Sequence, residues 1–170
     1  MGYQNRSLPG GYSQVSIPVF KNLTHEVGIE AAFTNSLIKQ FARSKVAKVA
    51  AQSLSPVVLE GRIEKIEYKH GGQIEGKATD SSNNLPERAV LTTEYRIFIT
   101  TRIVLKRLSD QKVLWQGEFF GEKVYSAPQI GLAVVNSANP LYNVSARREN
   151  ITLIAQDMMA EAHDRLTENF

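Results

Sequence analysis

Cysteine is absent from the chain, and its absence excludes both a disulfide framework and a thiolate metal site. Long apolar runs are missing as well, because no stretch approaches the ~18–20 residues that a membrane-spanning helix needs. The first residues, Met1-Gly2-Tyr3, lack the basic start and the apolar stretch of a signal peptide. Taken alone, these absences are typical of a cytosolic soluble protein.

The excess of charge of one sign is also small, since 20 basic and 17 acidic residues give a net charge of +3. That excess is too weak to predict nucleic-acid binding, so any anionic partner would have to meet a local cluster. A length of 170 residues, with 42% of them apolar, is sufficient for one core. We therefore predict a flexible leader over residues 1–13, rich in Gly, Ser, Pro and Asn, and a single domain over residues 14–170.

Hydrophobic periodicity predicts the elements at both ends of this domain. Alternating apolar residues predict a strand over 14–19, and Pro18 should place it at an edge or bend it, because proline cannot donate to a sheet ladder. Apolar residues at every fourth position predict a helix over about 28–44, and a short strand is expected at 46–50. The same helical spacing predicts a last helix over about 145–166.

Three longer strands are predicted between the two helices, over about 57–68, 93–108 and 113–124. In the first of these strands, the apolar residues change from odd to even positions near Lys65, which predicts a β-bulge there. Because the three follow one another directly, we expect an antiparallel meander.

Two long irregular segments, 70–88 and 125–145, interrupt this pattern, and the second is unusually apolar. Loops of such length are usually functional or disordered. The order of elements predicts an α+β two-layer sandwich, in which two α-helices pack on one face of a mixed four- to five-stranded sheet (β-α-(β)-β-β-β-α). The first strand, helix and short strand should form a right-handed parallel crossover.

No catalytic motif stands out in the sequence, which has no nucleophile elbow, Walker loop or dinucleotide glycine motif. His25, His70 and His163 lie in different elements, and none has a nearby cysteine or second histidine, so we expect solvated side chains rather than metal ligands. The carboxylates alternate with basic residues on faces that should be solvated. We predict no enzymatic activity, no metal and no cofactor.

The most informative polar feature is Arg147-Arg148, at the predicted start of the last helix. Positive charge there opposes the helix dipole. Two guanidiniums beside free backbone N–H groups would form an anion-binding corner, and the alternative is a pair of exposed arginines. With the apolar segment 125–145 beside it, this corner would suit an amphiphile that carries phosphates and acyl chains, or a protein partner.

A family resemblance extends over nearly the whole chain. Residues 15–24, Val-Ser-Ile-Pro-Val-Phe-Lys-Asn-Leu-Thr, resemble the opening strand and turn of the LptE lipopolysaccharide-assembly lipoproteins. Further matching segments follow in the family's order: Gly28-Ile29-Glu30, Phe33-Thr34-Asn35-Ser36-Leu37, Thr93-Glu94-Tyr95-Arg96, Lys112-Val113-Leu114-Trp115 and Tyr125-Ser126.

The resemblance implies a location. Mature members begin with a lipid-modified cysteine, often followed by glycine and an aromatic residue, and Gly2-Tyr3 fits that continuation. We therefore expect that Met1 stands where a native lipid-anchor cysteine would be. The implied protein faces the periplasm and is held by its N-terminal lipid in the inner leaflet of the outer membrane.

The resemblance also implies partners and site residues. Family members act as a plug inside an LptD-type outer-membrane β-barrel and bind lipopolysaccharide, a role without catalytic residues. Basic residues before the Glu-Tyr strand and near the start of the last helix are linked to that binding. The matching positions are Arg88, Arg147 and Arg148, and Lys77 is a weaker candidate.

A second family remains open. Lipoprotein regulators of peptidoglycan synthases, similar to LpoB, also have a strand, an Asn-x-Thr turn like that of residues 22–24, and a helix. They would not easily account for the long Glu-Tyr-Arg strand or the closing amphipathic helix. A small hydrolase is the weakest alternative.

Overall fold

The computed structural model describes residues 6–70, 73–75, 90–92, 94–126 and 140–168. Its strands and helices, in chain order, are β1 Gln14–Ser16, β2 Lys21–Asn22, α1 Ile29–Ser44, β3 Lys48–Val49, a 3-10 turn Gln52–Leu54, β4 Val57–His70, β5 Gln73–Glu75, β6 Val90–Thr92, β7 Glu94–Arg107, β8 Val113–Ser126 and α2 Pro140–Thr167.

The main sheet has six strands in the order β3-β1-β4-β7-β8, with β2 also paired to β4. Strand β1 runs parallel to β3 and β4, whereas β4, β7 and β8 form the expected antiparallel meander. Both helices supply buried residues to one core with the same sheet. The predicted α+β two-layer sandwich on a mixed sheet is therefore confirmed. The sheet has six strands instead of the expected four to five, because Lys21–Asn22 pairs separately with β4.

Strand β1 lies between β3 and β4, so the expectation of an edge strand is wrong. The other half of that expectation is confirmed, because β1 ends at Ser16 and the chain resumes pairing with β4 only at Lys21. Pro18 falls in this break, where its missing N–H removes no ladder bond.

The bulge predicted near Lys65 is confirmed. The β4–β7 register shifts between Ile63 and Lys65, so that Ile63 faces Thr101 while Lys65 faces Thr100. One extra residue returns Ile66 to the helix-covered side and accounts for the phase slip in the sequence.

Helix α1 buries the predicted stripe, in which Phe33, Leu37 and Phe41 are almost fully enclosed. Gly28 precedes it with φ of 90°, a left-handed conformation that glycine adopts without a Cβ penalty. On the other side of the core, Gly121 of β8 lets α2 approach closely, because a Cβ there would lie 2.5 Å from Ile154 and Met158.

Helix α2 begins at Pro140, so the predicted start near residue 145 is wrong. Proline suits the first helical position, where its missing N–H leaves no bond unmade. Short strands β5 and β6 pair with each other, and β5 falls within the segment expected to be a loop over 70–88. Of the expected leader 1–13, residues 6–13 are described, and Leu8 is 1% exposed and packed in the core.

Candidate functional site

One end of the sheet collects the ends of all three long strands. His70, the last residue of β4, pairs with Tyr95, and Glu94, the first residue of β7, pairs with Ser126 at the end of β8. The segments predicted to be long loops therefore both leave the sheet at this end. Helix α2 brings Arg147 to the same place.

Arg147 contacts two elements from its position on α2. Its Nε lies 3.4 Å from Oε1 of Glu26, and its guanidinium carbon lies 5.7 Å from the centre of the Tyr68 ring. The Tyr68 hydroxyl donates a hydrogen bond to the same Glu26 oxygen. Together with Tyr95 and Tyr125, these residues are called the Arg147 cluster below.

The local turn before α1 holds Glu26 in place. Asn22 Nδ2 donates to the Glu26 carbonyl at 2.6 Å, and Thr24 Oγ1 accepts from the Glu26 N–H at 3.2 Å. Asparagine and threonine side chains commonly bond to the backbone in this way at turns. Glu26 was missed as a site residue in the sequence, although the Asn-x-Thr pattern that positions it was visible.

Charge within the Arg147 cluster is partly compensated. The Glu26 side chain is 17% exposed, and burial followed by the hydrogen bond to Glu26 raises the pKa of Tyr68 well above its usual range. The phenol thus remains a protonated donor. Arg147 Nε is buried and makes no hydrogen bond to the described residues, so ion pairing and the Tyr68 ring provide its contacts.

An aromatic pair completes the cluster. The rings of Tyr95 and Tyr125 stack with centroids 5.4 Å apart and planes 20° from parallel. Burial raises the pKa of Tyr125, although the Arg147 charge acts in the opposite direction. The cluster therefore offers a cation beside a partly enclosed aromatic surface, which suits a ligand with anionic and apolar parts.

Arg148 differs from its neighbour, because it is exposed and makes no ion pair with any residue the structure describes. The argument from free backbone N–H groups is wrong for both arginines. Since α2 begins at Pro140, residues 147 and 148 lie about two turns inside the helix, where backbone N–H groups are already bonded. What the structure brings together is Arg147 with the tyrosines. Arg88, Lys77 and Met1 lie outside the described residues.

His163 is not solvated as expected, because its side chain is only 3% exposed between the helices. Its Nε2 is hydrogen-bonded to Ser44 Oγ at 2.8 Å, and its ring meets Phe41 edge-on. Burial lowers the pKa of His163, against the opposing effect of Asp164. Ser44 and Asp164 thus lie on the two sides of the His163 ring, an order that resembles a catalytic triad. The nearby cavity of about 350 Å³, however, is lined by neither Ser44 nor His163, so it offers no substrate site beside them. These contacts therefore hold α1 and α2 together, and we call them the helix joint.

The described ranges hold no group of three or more histidine or acidic side chains that could bind a metal ion. None of their helices is long and apolar enough to cross a membrane.

Comparison with known proteins gives one family. The LptE family, described as lipopolysaccharide-assembly, matches residues 12–168. No curated protein matches the sequence.

Solved structures share the fold at low identity. A protein from Xanthomonas campestris aligns with a TM-score of 0.57 at 13% identity, covering 94% of this chain and 86% of its own. The PelC dodecamer from Paraburkholderia phytofirmans gives a TM-score of 0.54 at 14% identity, covering 96% and 95%. A putative lipoprotein from Caulobacter crescentus gives 0.53 at 9% identity, covering 88% of each chain.

Proposed function

The chain belongs to the LptE lipopolysaccharide-assembly family, and we propose that it is the plug and the lipopolysaccharide-binding partner of an LptD-type outer-membrane β-barrel. Membership gives a role in lipopolysaccharide assembly without a catalytic step. The barrel partnership, the plug position and the contact residues are the proposal.

The observation that carries this proposal is the extent of the family match. It covers residues 12–168, and therefore includes both helices and every strand of the main sheet. A match restricted to the opening strand and turn would have favoured the LpoB-like alternative equally. The lipid anchor expected at the position of Met1 and the periplasm-facing location are part of the same proposal.

The Arg147 cluster supports a division of roles between the two arginines. Arg147 is paired with Glu26 and lies over Tyr68, so it orients the start of α2 and presents a compensated charge. Arg148 is exposed, and its guanidinium is available to a phosphate in bidentate geometry. We assign direct phosphate contact to Arg148, with Arg88 and Lys77 as further contacts.

Co-purification from native outer membranes tests the partner. The affinity-tagged full-length lipoprotein should recover an LptD-type barrel in stoichiometric amount. Recovery of a penicillin-binding protein instead would replace the proposal with regulation of peptidoglycan synthesis.

Lipopolysaccharide binding tests the residues. Arg148→Gln should weaken binding more than Arg147→Gln, and Arg148→Glu should weaken it further. These differences should be larger at low ionic strength, because salt screens exposed charges. Arg43→Glu is the matched control, since Arg43 is exposed near the end of α1 and away from the cluster. Equal loss in Arg148→Glu and Arg43→Glu would reject the assigned contact.

A further inference from the structure

The face of the sheet turned away from the helices contains a groove of about 470 Å³. Cavities of about 300–1,000 Å³ are the usual size for a small ligand. Its lining combines four cations and one carboxylate, Glu60, with apolar side chains from the break between β1 and β2 and from the β7–β8 hairpin. The members used below are Val19, Lys21, Arg62, Arg102, Lys106 and Val113.

Three of these cations lie side by side across three strands. Lys21 of β2 is in register with Arg62 of β4, and Arg62 is in register with Arg102 of β7. Side chains in register point to the same side of a sheet, and neighbouring strands are about 4.8 Å apart. We call Lys21, Arg62 and Arg102 the cationic row.

Such a row is unfavourable without a ligand, because like charges directly opposite one another destabilise a strand pair. Two other cations of this face are matched with acids: Lys106 Nζ lies 2.7 Å from Glu60, and Arg96 lies 3.6 Å from Glu122. Cations also face each other where Lys69 is in register with Arg96, but that pair has Glu122 beside it, and the cationic row extends over three strands.

Nearby carboxylates only partly compensate the row. Arg102 Nε lies 3.4 Å from Glu64, and Glu118 faces Arg102 from β8. Lys21 and Arg62 make no ion pair with the residues that the structure describes. Within the described part of the chain, Lys21 and Arg62 are therefore left without an ion pair in a groove whose own carboxylate, Glu60, is already paired with Lys106.

The side walls of the groove indicate which chemical group would be attached to the bound anion. Val19 and Val113 are 70% and 46% exposed, large values for aliphatic side chains beside a charged floor. Arginine binds phosphate oxygens in a bidentate manner, and the pair Arg62 and Arg102 offers two such groups. We propose that this groove binds a phosphate group attached to an apolar body. The site lies on the opposite face from the Arg147 cluster and shares no residue with it, so loss of binding at one site leaves the other untouched.

Nuclear magnetic resonance titration of the full chain tests the proposal. The probes are inorganic pyrophosphate and, as a monomer, dihexanoyl phosphatidic acid, each added at low ionic strength. The arginine Nε–H signals of Arg62 and Arg102 should shift and saturate. Tighter binding of phosphatidic acid is the expected result, because the exposed valines would contact its acyl chains. Equal binding of the two probes would contradict the apolar body and reduce the groove to a site for free phosphate.

Variants separate a binding site from a structural feature. Arg62→Gln should weaken binding about tenfold, through loss of a charge-assisted bidentate contact, and should raise the melting temperature without ligand. Arg62→Lys should retain the charge with intermediate affinity. Arg96→Gln is the control, because Arg96 lies on the same face outside the groove.

Three results would overturn the proposal. They are the absence of saturable shifts with both probes, equal weakening by Arg62→Gln and Arg96→Gln, and tighter binding of an acidic peptide than of either probe. The last result would assign the groove to a protein partner.

Discussion

The two faces of the sheet follow opposite rules. The face under the helices is apolar and closed, with Ile97, Ile99 and Leu105 almost fully buried. The described elements leave the other face open, and it carries charged residues in cross-strand pairs such as Lys106 with Glu60. Strand alternation assigns neighbouring residues of one strand to these different environments.

Stability and recognition depend on different faces of the sheet. Phe119 and Phe120 are adjacent in β8, yet Phe119 is 1% exposed and Phe120 is 70% exposed. The same type of side chain thus contributes to the core on one face and remains available for contacts on the other. The closed face holds the fold, and the open face can carry a costly arrangement such as the cationic row.

Truncation of these two phenylalanines should produce the largest difference in stability between the two faces. Phe119→Ala should lower the free energy of unfolding by about 3–5 kcal/mol, because it removes a buried ring and leaves a cavity. Phe120→Ala should change it by no more than about 0.5 kcal/mol. Urea denaturation of both variants measures the difference. Similar losses would mean that a further part of the chain covers the open face.

A double-mutant cycle on Glu26→Gln and Arg147→Met should show the next largest effect. The pair is partly enclosed, with 17% and 35% of the side chains exposed, so its coupling should be about 1–2 kcal/mol, between the values of exposed and buried pairs. The matched pair Glu161 and Arg165, 3.3 Å apart and about half exposed, should couple by about 0.3–0.5 kcal/mol. Equal coupling energies would remove the distinction between the Arg147 cluster and an ordinary surface pair.

His163 should make the closed side sensitive to pH. Because burial lowers its pKa in the folded state, the unfolded chain takes up a proton first as the pH falls through about 6.5. Stability should therefore decrease from about pH 6.5 down to the lower folded pKa, and the His163 contribution should be constant above and below that window. His163→Gln should flatten this slope, measured by denaturation between pH 5 and about pH 8.

The control for this effect is His25→Gln, since His25 is exposed and away from the helix joint. It should leave the slope unchanged. A slope that survives in His163→Gln would assign the pH dependence to groups other than His163.

The fold was largely predictable because its signals are local and periodic. The stripe from Ile29 to Phe41 and the phase slip at Lys65 each follow from one element and its period, and both were confirmed. The place of β1 inside the sheet was not predictable, because it depends on pairing with β3 and β4, which are distant in sequence. The start of α2 was also missed, because a proline-led first turn resembles a loop in composition.

The candidate site was less accessible from sequence, because it depends on register between distant strands. Arg147 was identified from its position in the sequence, but its contacts with Glu26 and Tyr68 join three separate elements. The cationic row was missed for the same reason. Lys21, Arg62 and Arg102 are far apart in sequence, and only the β2–β4 and β4–β7 registers bring them together.

The smallest expected effect concerns the paired charges of the open face. A double-mutant cycle on Glu60→Gln and Lys106→Gln should give a coupling of about 0.2–1 kcal/mol at low salt, because both side chains remain solvated. The coupling should nearly vanish at about 1 M salt, where the Debye length falls to about 3 Å. Lys65 and Glu67, 2.8 Å apart on the same face, provide a second exposed pair for comparison. A coupling that resists salt, or equals that of Glu26 with Arg147, would mean that the open face is enclosed by a part of the chain or by a partner.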